Sequence, residues 1–457
     1  MTVTLRGRAV ILTLSSAKGK NPRISPLQPR RLARCAATLA VLTLGHLAAW
    51  PLGAQSPPAP QPITALFLSD IHLNPFHDPA FLATLTGPSV PVPELPPSPA
   101  LAAVQDFCRK LPDTPDALFR SSLAAIRPRA ASVSFVTVSG DLLSHQFTRC
   151  FAAFVLRTEP AAADSAEYPI LTPDQRRRYQ DFVQNTVAYV TAQLRDTFPN
   201  TPIYYALGNN DSACGDYNLD GNDEFLRRTA PLVAAAIAGN PPASASAALP
   251  SQFAADGSWQ ATGSYNVPLA ALPNTRLIVF DDVFLAPDHR TCSGADDPAT
   301  AKAELAWLTL QLQSLKPGQK VWIMAHIPPG IDLFSSIKRR HPVAFLKYDF
   351  AGLLAPYTGS VRLTIFAHTH IDDLTQLPSP DSFQTIPITL KSVQSISPDH
   401  GNLPTFTLAS IDPATSTLLS YTLITAAQSP GAGGYTWPAA DAPSPPPTWT
   451  STAAASH

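Results

Sequence analysis

The chain has 457 residues, 45% apolar and only 14% charged, against roughly 25% charged in an ordinary globular domain, which excludes a coiled coil and a wholly disordered chain. Its 49 prolines outnumber 21 glycines, so long connections should separate its ordered elements. Residues 1–54 hold eight Lys or Arg and no acid, leaving 24 basic against 33 acidic residues beyond Ala54 and a net charge of −9; such a body is unsuited to binding nucleic-acid duplexes by phosphate neutralisation, and an anionic substrate would need local cations or metals.

At the start of the chain, Arg30, Arg31 and Arg34 precede a low-polarity run from Ala36 to Trp50, followed by Pro51-Leu52-Gly53-Ala54. This pattern predicts a cleaved signal peptide over residues 1–54 and a secreted or periplasmic protein. The alternative, a membrane anchor, is disfavoured because the run is shorter than the roughly 20 residues that span a bilayer. Residues 55–62 read as a linker. Export would leave four cysteines, Cys108, Cys150, Cys214 and Cys292, an even number that fits two disulfides. Of the three possible pairings, Cys108 with Cys150 and Cys214 with Cys292 is the simplest.

Short apolar runs then recur at Ala65–Leu68, Val133–Val138, Ile203–Ala206, Leu277–Phe280, Val321–Met324 and Leu363–Phe366, and predict buried strands. Helical spacing marks Asp174–Phe198, through Tyr179, Phe182, Val183, Val187, Val190 and Leu194, and also Ala301–Leu315. Pro404–Thr425 reads as two antiparallel strands around Asp412-Pro413-Ala414-Thr415. Strands alternating with helices predict an α/β architecture, whose sites gather where strands end. From residue 427 onward Ala, Pro, Ser and Thr dominate, which predicts a disordered tail beyond a domain of residues 63–426.

Five of these strands run directly into metal-capable residues. Leu68 leads to Asp70-Ile71-His72, Val138 to Gly140-Asp141, Ala206 to Gly208-Asn209-Asn210-Asp211, Met324 to His326, and Phe366 to His368-Thr369-His370. Any one cluster alone is weak, but five at successive strand ends share one explanation, a metal site. Imidazole mixed with carboxylate and amide oxygen, without thiolate, suits Zn, Mn or Fe in an open catalytic site. Seven groups are too many for one ion. Two ions about 3.5–4 Å apart, bridged by a carboxylate, account for them and suit displacement at phosphorus.

The order D-x-H, G-D, G-N-x-[DE], H and H-x-H resembles the calcineurin-like metallophosphoesterase superfamily. His326-Ile327-Pro328-Pro329-Gly330, Gly140-Asp141-Leu142 with His145, and Phe107-Cys108 with Asp116-Ala117-Leu118 are more narrowly similar to acid sphingomyelinase-like phosphodiesterases and their endopolyphosphatase relatives. The resemblance covers about residues 62–425. It implies a sandwich of two mixed β-sheets flanked by helices. It further implies that Asp70, His72 and His370 hold one divalent ion, Asn209, His326 and His368 a second, and Asp141 both, with a metal-activated hydroxide attacking phosphorus.

One position departs from the pattern. Where the family usually has a His after the ligand Asn, this chain has Asn210, whose amide can donate a hydrogen bond but cannot deliver a proton. His145 is then a candidate general acid, the alternative being a loop histidine without a chemical role. A phosphoanhydride needs no acid, so Asn210 favours polyphosphate, nucleotide polyphosphate or an activated diester over a sphingomyelin-type lipid headgroup; a weakened enzyme is the third option. Lys338-Arg339-Arg340-His341 reads as a solvated loop or a polyanion contact at the cleft rim. His77, His289 and His400 read as surface residues, and Asn210-Asp211-Ser212 as a coincidental glycosylation pattern. The readings that stand are a dinuclear phosphodiester or phosphoanhydride hydrolase, a phosphomonoesterase on the same scaffold, and a secreted binding protein without turnover.

Overall fold

A computed structural model describes residues 60–86, 97–158, 171–239, 258–378, 385–429, 434–439 and 446–451. The expected leader and most of the linker lie outside them. Strands β1 (Ile63–Leu68), β2 (Val133–Ser139) and β3 (Ile203–Ala206) are parallel neighbours. Strands β4 (Tyr265–Pro268), β5 (Thr275–Val279), β6 (Lys320–Met324), β7 (Val361–Phe366), β8 (Asp373–Pro378) and β9 (Thr385–Ser392) form a second sheet in the order β4-β5-β6-β7-β9-β8. Its interior β5, β6, β7 and β9 are parallel, with antiparallel β4 and β8 at the edges.

The antiparallel pair β10 (Thr405–Asp412) and β11 (Thr417–Thr425) returns to the first sheet, where β10 lies beside β1. Two short strands, β12 (Ala427–Gln428) and β13 (Tyr435–Thr436), pair with each other, and β14 (Trp449–Thr450) closes the first sheet outside β11. The first sheet therefore runs β14-β11-β10-β1-β2-β3. The result is the expected α/β sandwich of two mixed sheets flanked by helices.

Apolar strand faces meet between the sheets. Fully buried Trp322 on β6 lies edge-on to Phe67 of β1 and Phe135 of β2, with ring centroids 6.3 and 5.7 Å away, and its indole N–H donates to the Ser416 carbonyl. Truncating such a residue to Ala costs about 3–5 kcal/mol. The long helix Pro173–Thr197 buries the predicted stripe of Tyr179, Phe182, Val183, Val187, Val190 and Leu194 and begins at a Thr172/Gln175 capping box. The second predicted helix spans Pro298–Gln313. Among the described residues, no helix is long and apolar enough to cross a membrane.

The two simplest disulfides are both present, Cys108–Cys150 and Cys214–Cys292. Closing loops of 42 and 78 residues removes about 4 kcal/mol of unfolded-state freedom each on the chain-entropy model. The tail departs from expectation. Trp437 packs on Phe406 with centroids 5.3 Å apart and donates to Ser121, and Trp449 stacks on Tyr421. Two tryptophans supply the apolar area that the average composition of the tail conceals. His289 also departs: it is buried, with Nε2 on the Leu219 carbonyl and its ring against Phe284.

Past the end of β5 lies a buried acidic group. Glu304 is buried and accepts a hydrogen bond from Ser264, with Asp281 nearby. Burial, against the Ser264 hydrogen bond, pushes Glu304 up from 4.5 to about 7. A carboxyl raised by folding contributes stability that is complete below its unfolded pKa and lost as pH rises through about 7. Glu304→Gln should therefore weaken the fall in unfolding temperature between pH 5 and 8. Thermal denaturation across that range, wild type beside variant, checks this; equal slopes would contradict it.

Candidate metal centre

The parallel strands β1, β2 and β3 and β5, β6 and β7 all end at one edge of the sandwich, and backbone hydrogen bonds extend the sheets into their loops. Asp70 N donates to Gly140 O, His72 N to Asp141 O, Ala367 N to His326 O, and Ser397 N to Asp70 O. The loops then turn sharply. Asp70, His72, Asp141, His368 and His370 all have φ between 44° and 66°, a left-handed conformation that costs a non-glycine residue about 1–2 kcal/mol. Such strain persists only where the surroundings over-determine it, and it concentrates at functional sites.

Glycine is required at two points of contact between these loops. A Cβ on Gly140, whose φ is +97°, would lie 2.6 Å from His326 Nδ1; one on Gly208 would overlap the Asp141 carboxylate and amide. These two residues let the backbones of the β2 and β3 loops close on each other.

All seven sequence-predicted ligands come together. His72 Nε2 lies 3.1 Å from His370 Nε2 and 3.4 Å from Asp141 Oδ2; His326 Nε2 lies 3.3 Å from the same Oδ2 and 3.0 Å from Asn209 Oδ1. Asp70 Oδ1 is 3.4 Å from His370 Nε2. In each of the triads Asp70/His72/Asp141 and Asp141/His326/His368 the candidate ligand atoms lie within 4.8 Å of one another. Six of the seven are buried, and His368 is partly so.

The donor chemistry fits divalent ions. The Nδ1 atom of His72 faces the Leu143 carbonyl at 3.0 Å, which leaves its Nε2 to present a lone pair to the cluster; His326, with Nδ1 2.8 Å from the Ser139 carbonyl, is, against the effect of its burial, raised to about 10 by Asp141. Burial holds His72 and His370 well below the ordinary histidine range, so neutral ring nitrogens face each other. Asp70 Oδ1 and His370 Nδ1 are buried without any hydrogen-bond partner, and burial drives Asp70 up to about 7. A cation would supply the partner that the Asp70 oxygen lacks.

Around them stands a ring of carboxylates to which sequence reading assigned no role. Asp211 accepts from Gly208 N, Leu142 N and Leu143 N; Asp216 accepts from Asn209 Nδ2 at 2.7 Å, turning the amide oxygen toward His326; Asp282 receives His326 N and Ile327 N. Asp211 stands in the G-N-x-[DE] signature, but Asp216 and Asp282 carry no signal beyond lying past a strand end. Tyr217 places its hydroxyl 3.2 Å from His368 Nε2.

The two residues singled out as catalytic take different positions. Asn210 is buried, its N–H on Asp141 Oδ1 at 2.8 Å and its amide on Oδ2 at 2.9 Å; it holds Asp141, and its burial leaves the glycosylation pattern inaccessible. His145 stacks on His72 with centroids 4.1 Å apart, its Nδ1 2.8 Å from buried Asp113. Its side chain is 31% exposed. Burial alone would lower His145, but hydrogen bonding and charge pairing with Asp113 raise it to about 9.

A scan of protein-family models gives no match. Over 197 residues the chain is 26% identical to sphingomyelinase phosphodiesterase C of Dictyostelium discoideum, a stretch covering 42% of this chain and 39% of that protein. The chain is thus similar to a phosphodiesterase. Among solved structures, a dimetal phosphatase from Danio rerio aligns over 80% of this chain and 96% of its own, with 12% identity and a TM-score of 0.42. A calcineurin-like phosphoesterase from Bacillus subtilis aligns over 83% and 89%, with 10% identity and a TM-score of 0.32. At such identities neither lends this chain a function.

Gly208→Ala should displace Asp141 and weaken metal binding at the cluster. Titration of the chelator-treated protein with Zn or Mn, followed by calorimetry and by the rise in unfolding temperature, should show at least a tenfold loss of affinity. Wild-type affinity in the variant would contradict the close packing described for the two loops.

Proposed function

We propose that the chain is an exported dinuclear metal hydrolase that cleaves phosphodiester or phosphoanhydride bonds, with residues 1–54 as a removable leader and residues 63–426 as the catalytic domain. The observation that carries this reading is the position of Asp141: one carboxylate oxygen lies 3.4 Å from His72 and 3.3 Å from His326, so this residue would serve both ligand groups. Two disulfides, together with the basic-then-apolar leader, support export.

On this reading Asp70, His72 and His370 would hold one ion, Asn209, His326 and His368 the other, and Asp141 would contribute to both. When bound, the ions would supply Lewis acidity at the phosphoryl group. Asn210 fixes both oxygens of Asp141, and Asp216 fixes the Asn209 amide, so the ligands are oriented before substrate arrives. His145, protonated at neutral pH through Asp113, keeps Nε2–H available to give its proton to the departing oxygen. The need for that proton depends on the leaving group: it is large for an alkoxide and small for a nitrophenolate or a phosphate.

Asp141→Asn should abolish turnover with the fold intact, as judged by circular dichroism; near wild-type activity would sink the two-ion assignment. With Mn or Zn added, chain shortening of polyphosphate beside nitrophenol release from a bis-nitrophenyl diester separates the two bond classes. His145→Gln should slow cleavage of an alkyl-leaving diester about 10²–10⁴-fold, and leave nitrophenyl diester cleavage within a few-fold of wild type. Equal losses on both substrates would rule out proton donation by His145.

A further inference from the structure

Seven large apolar side chains are exposed among the described residues, and five of them lie on loops that carry or touch the metal-centre residues. Ile331, Leu333 and Ile337, at 50%, 71% and 79% exposure, stand on the excursion that follows His326. Ile371 adjoins His370, and Leu403 follows His400, whose ring is 5.5 Å from that of His370. Three of the seven, Ile331, Leu333 and Ile337, fall within seven residues of sequence, a concentration that marks an interaction surface.

The excursion of residues 330–345 has a defined neck. Phe345 N donates to Gly330 O and Asp332 N to Val343 O, with Ile331 bridging Ala344, and the Phe345 ring meets His368 edge-on at 5.7 Å. Beyond the neck, the helix Leu333–Arg339 places Leu333 and Ile337 one turn apart on one face. Lys338, Arg339, Arg340 and His341 follow, all exposed. Arg339 has Asp288 at 3.6 Å, while Lys338 and Arg340 have no ionic partner among the described residues. Residues 330–347 carry four Lys or Arg against one Asp, within a chain that is net acidic past Ala54.

We propose that this excursion docks the protein on an anionic phospholipid surface, with Leu333 and Ile337 entering the headgroup region and Lys338, Arg340 and Lys347 facing lipid phosphates. Exposed aliphatic residues beside a cluster of cations are the pairing that holds a helix at a membrane surface. A soluble polyanion would use the cations and leave the isoleucines without purpose. Docking does not depend on turnover; that it presents headgroups to the metal centre rests on the phosphoesterase reading.

The test is co-sedimentation of the full chain with vesicles of phosphatidylcholine containing one-fifth phosphatidylserine, so that the apolar run at residues 36–50 is common to every variant. The Ile331→Ser/Leu333→Ser/Ile337→Ser variant should lose at least tenfold in partitioning, and Lys338→Glu/Arg340→Glu a similar amount at low salt. Both should keep the wild-type unfolding temperature and wild-type rates on a soluble nitrophenyl diester. No binding by wild type, or unchanged partitioning of the triple serine variant, would overturn the proposal. Capture of soluble polyphosphate that depends on the cations but not on the apolar residues, without vesicle binding, would reassign the surface to a polyanion. Vesicle binding without diester hydrolysis would refute the catalytic reading and leave the docking surface standing.

Discussion

A carboxylate sealed from water must find positive charge or hydrogen-bond donors, because desolvating it unpaired costs several kcal/mol. Asp141 is that group here. Two imidazoles face one of its oxygens, and both oxygens accept from Asn210. Burial acts to raise it, but the charge of His326 and its hydrogen bond hold it well below the ordinary carboxylate range. Each donor comes from a different loop, so keeping Asp141 satisfied requires the ends of β1, β2, β3 and β6 to meet at one point. Trp322 between the sheets and the two glycines between the loops make that meeting sterically possible.

The centre is correspondingly rigid. Backbone hydrogen bonds continue past the last strand residues, left-handed ligand residues are fixed between them, and buried carboxylates tie down the amides behind. The Cys214–Cys292 bridge and the hydrogen bond from Arg290 N to Tyr217 O brace the loop that carries Asn209. What is held this way needs little reorganisation when ligands bind, and electrostatic catalysis depends on that property.

The six apolar runs were legible as strands because each is short, β-rich and buried on both faces, and the polar clusters at their ends were legible because metal-capable residues are conspicuous after such runs. The strands β8 and β9 were not. Pro387 interrupts the alternation of β9, and the pairing skips from Gln376↔Thr389 to Leu377↔Ile386 to pass it. Within the described part of the tail, Trp437 and Trp449 pack on the domain, which composition, an average over residues, does not reveal. His289 was misread because its local sequence is polar, whereas its surroundings, Leu219 and Phe284, arrive from elsewhere in the chain or lie beneath it. Asp216 and Asp282 escaped notice for a related reason: a carboxylate that orients a ligand leaves no periodic mark and is visible only through the backbone it meets.

The two halves of the centre differ in a way that bears on any substrate they accept. Beside His72 and His370 stand His145, raised by Asp113, and the exposed His400. Beside His326 and His368 stand the neutral rings of Tyr217 and Phe345, with Tyr217 on His368 by its hydroxyl. On the proposed reading, proton supply lies on the first half and an apolar wall on the second. Displacement at phosphorus requires attack and departure in line, so a leaving oxygen that needs a proton must sit over the His145 side, while an apolar portion of the substrate is better accommodated against Tyr217 and Phe345. Phe345 also forms the neck of the exposed Ile331–Ile337 excursion. The wall of the centre and the rim outside it are thus built from one continuous stretch of chain.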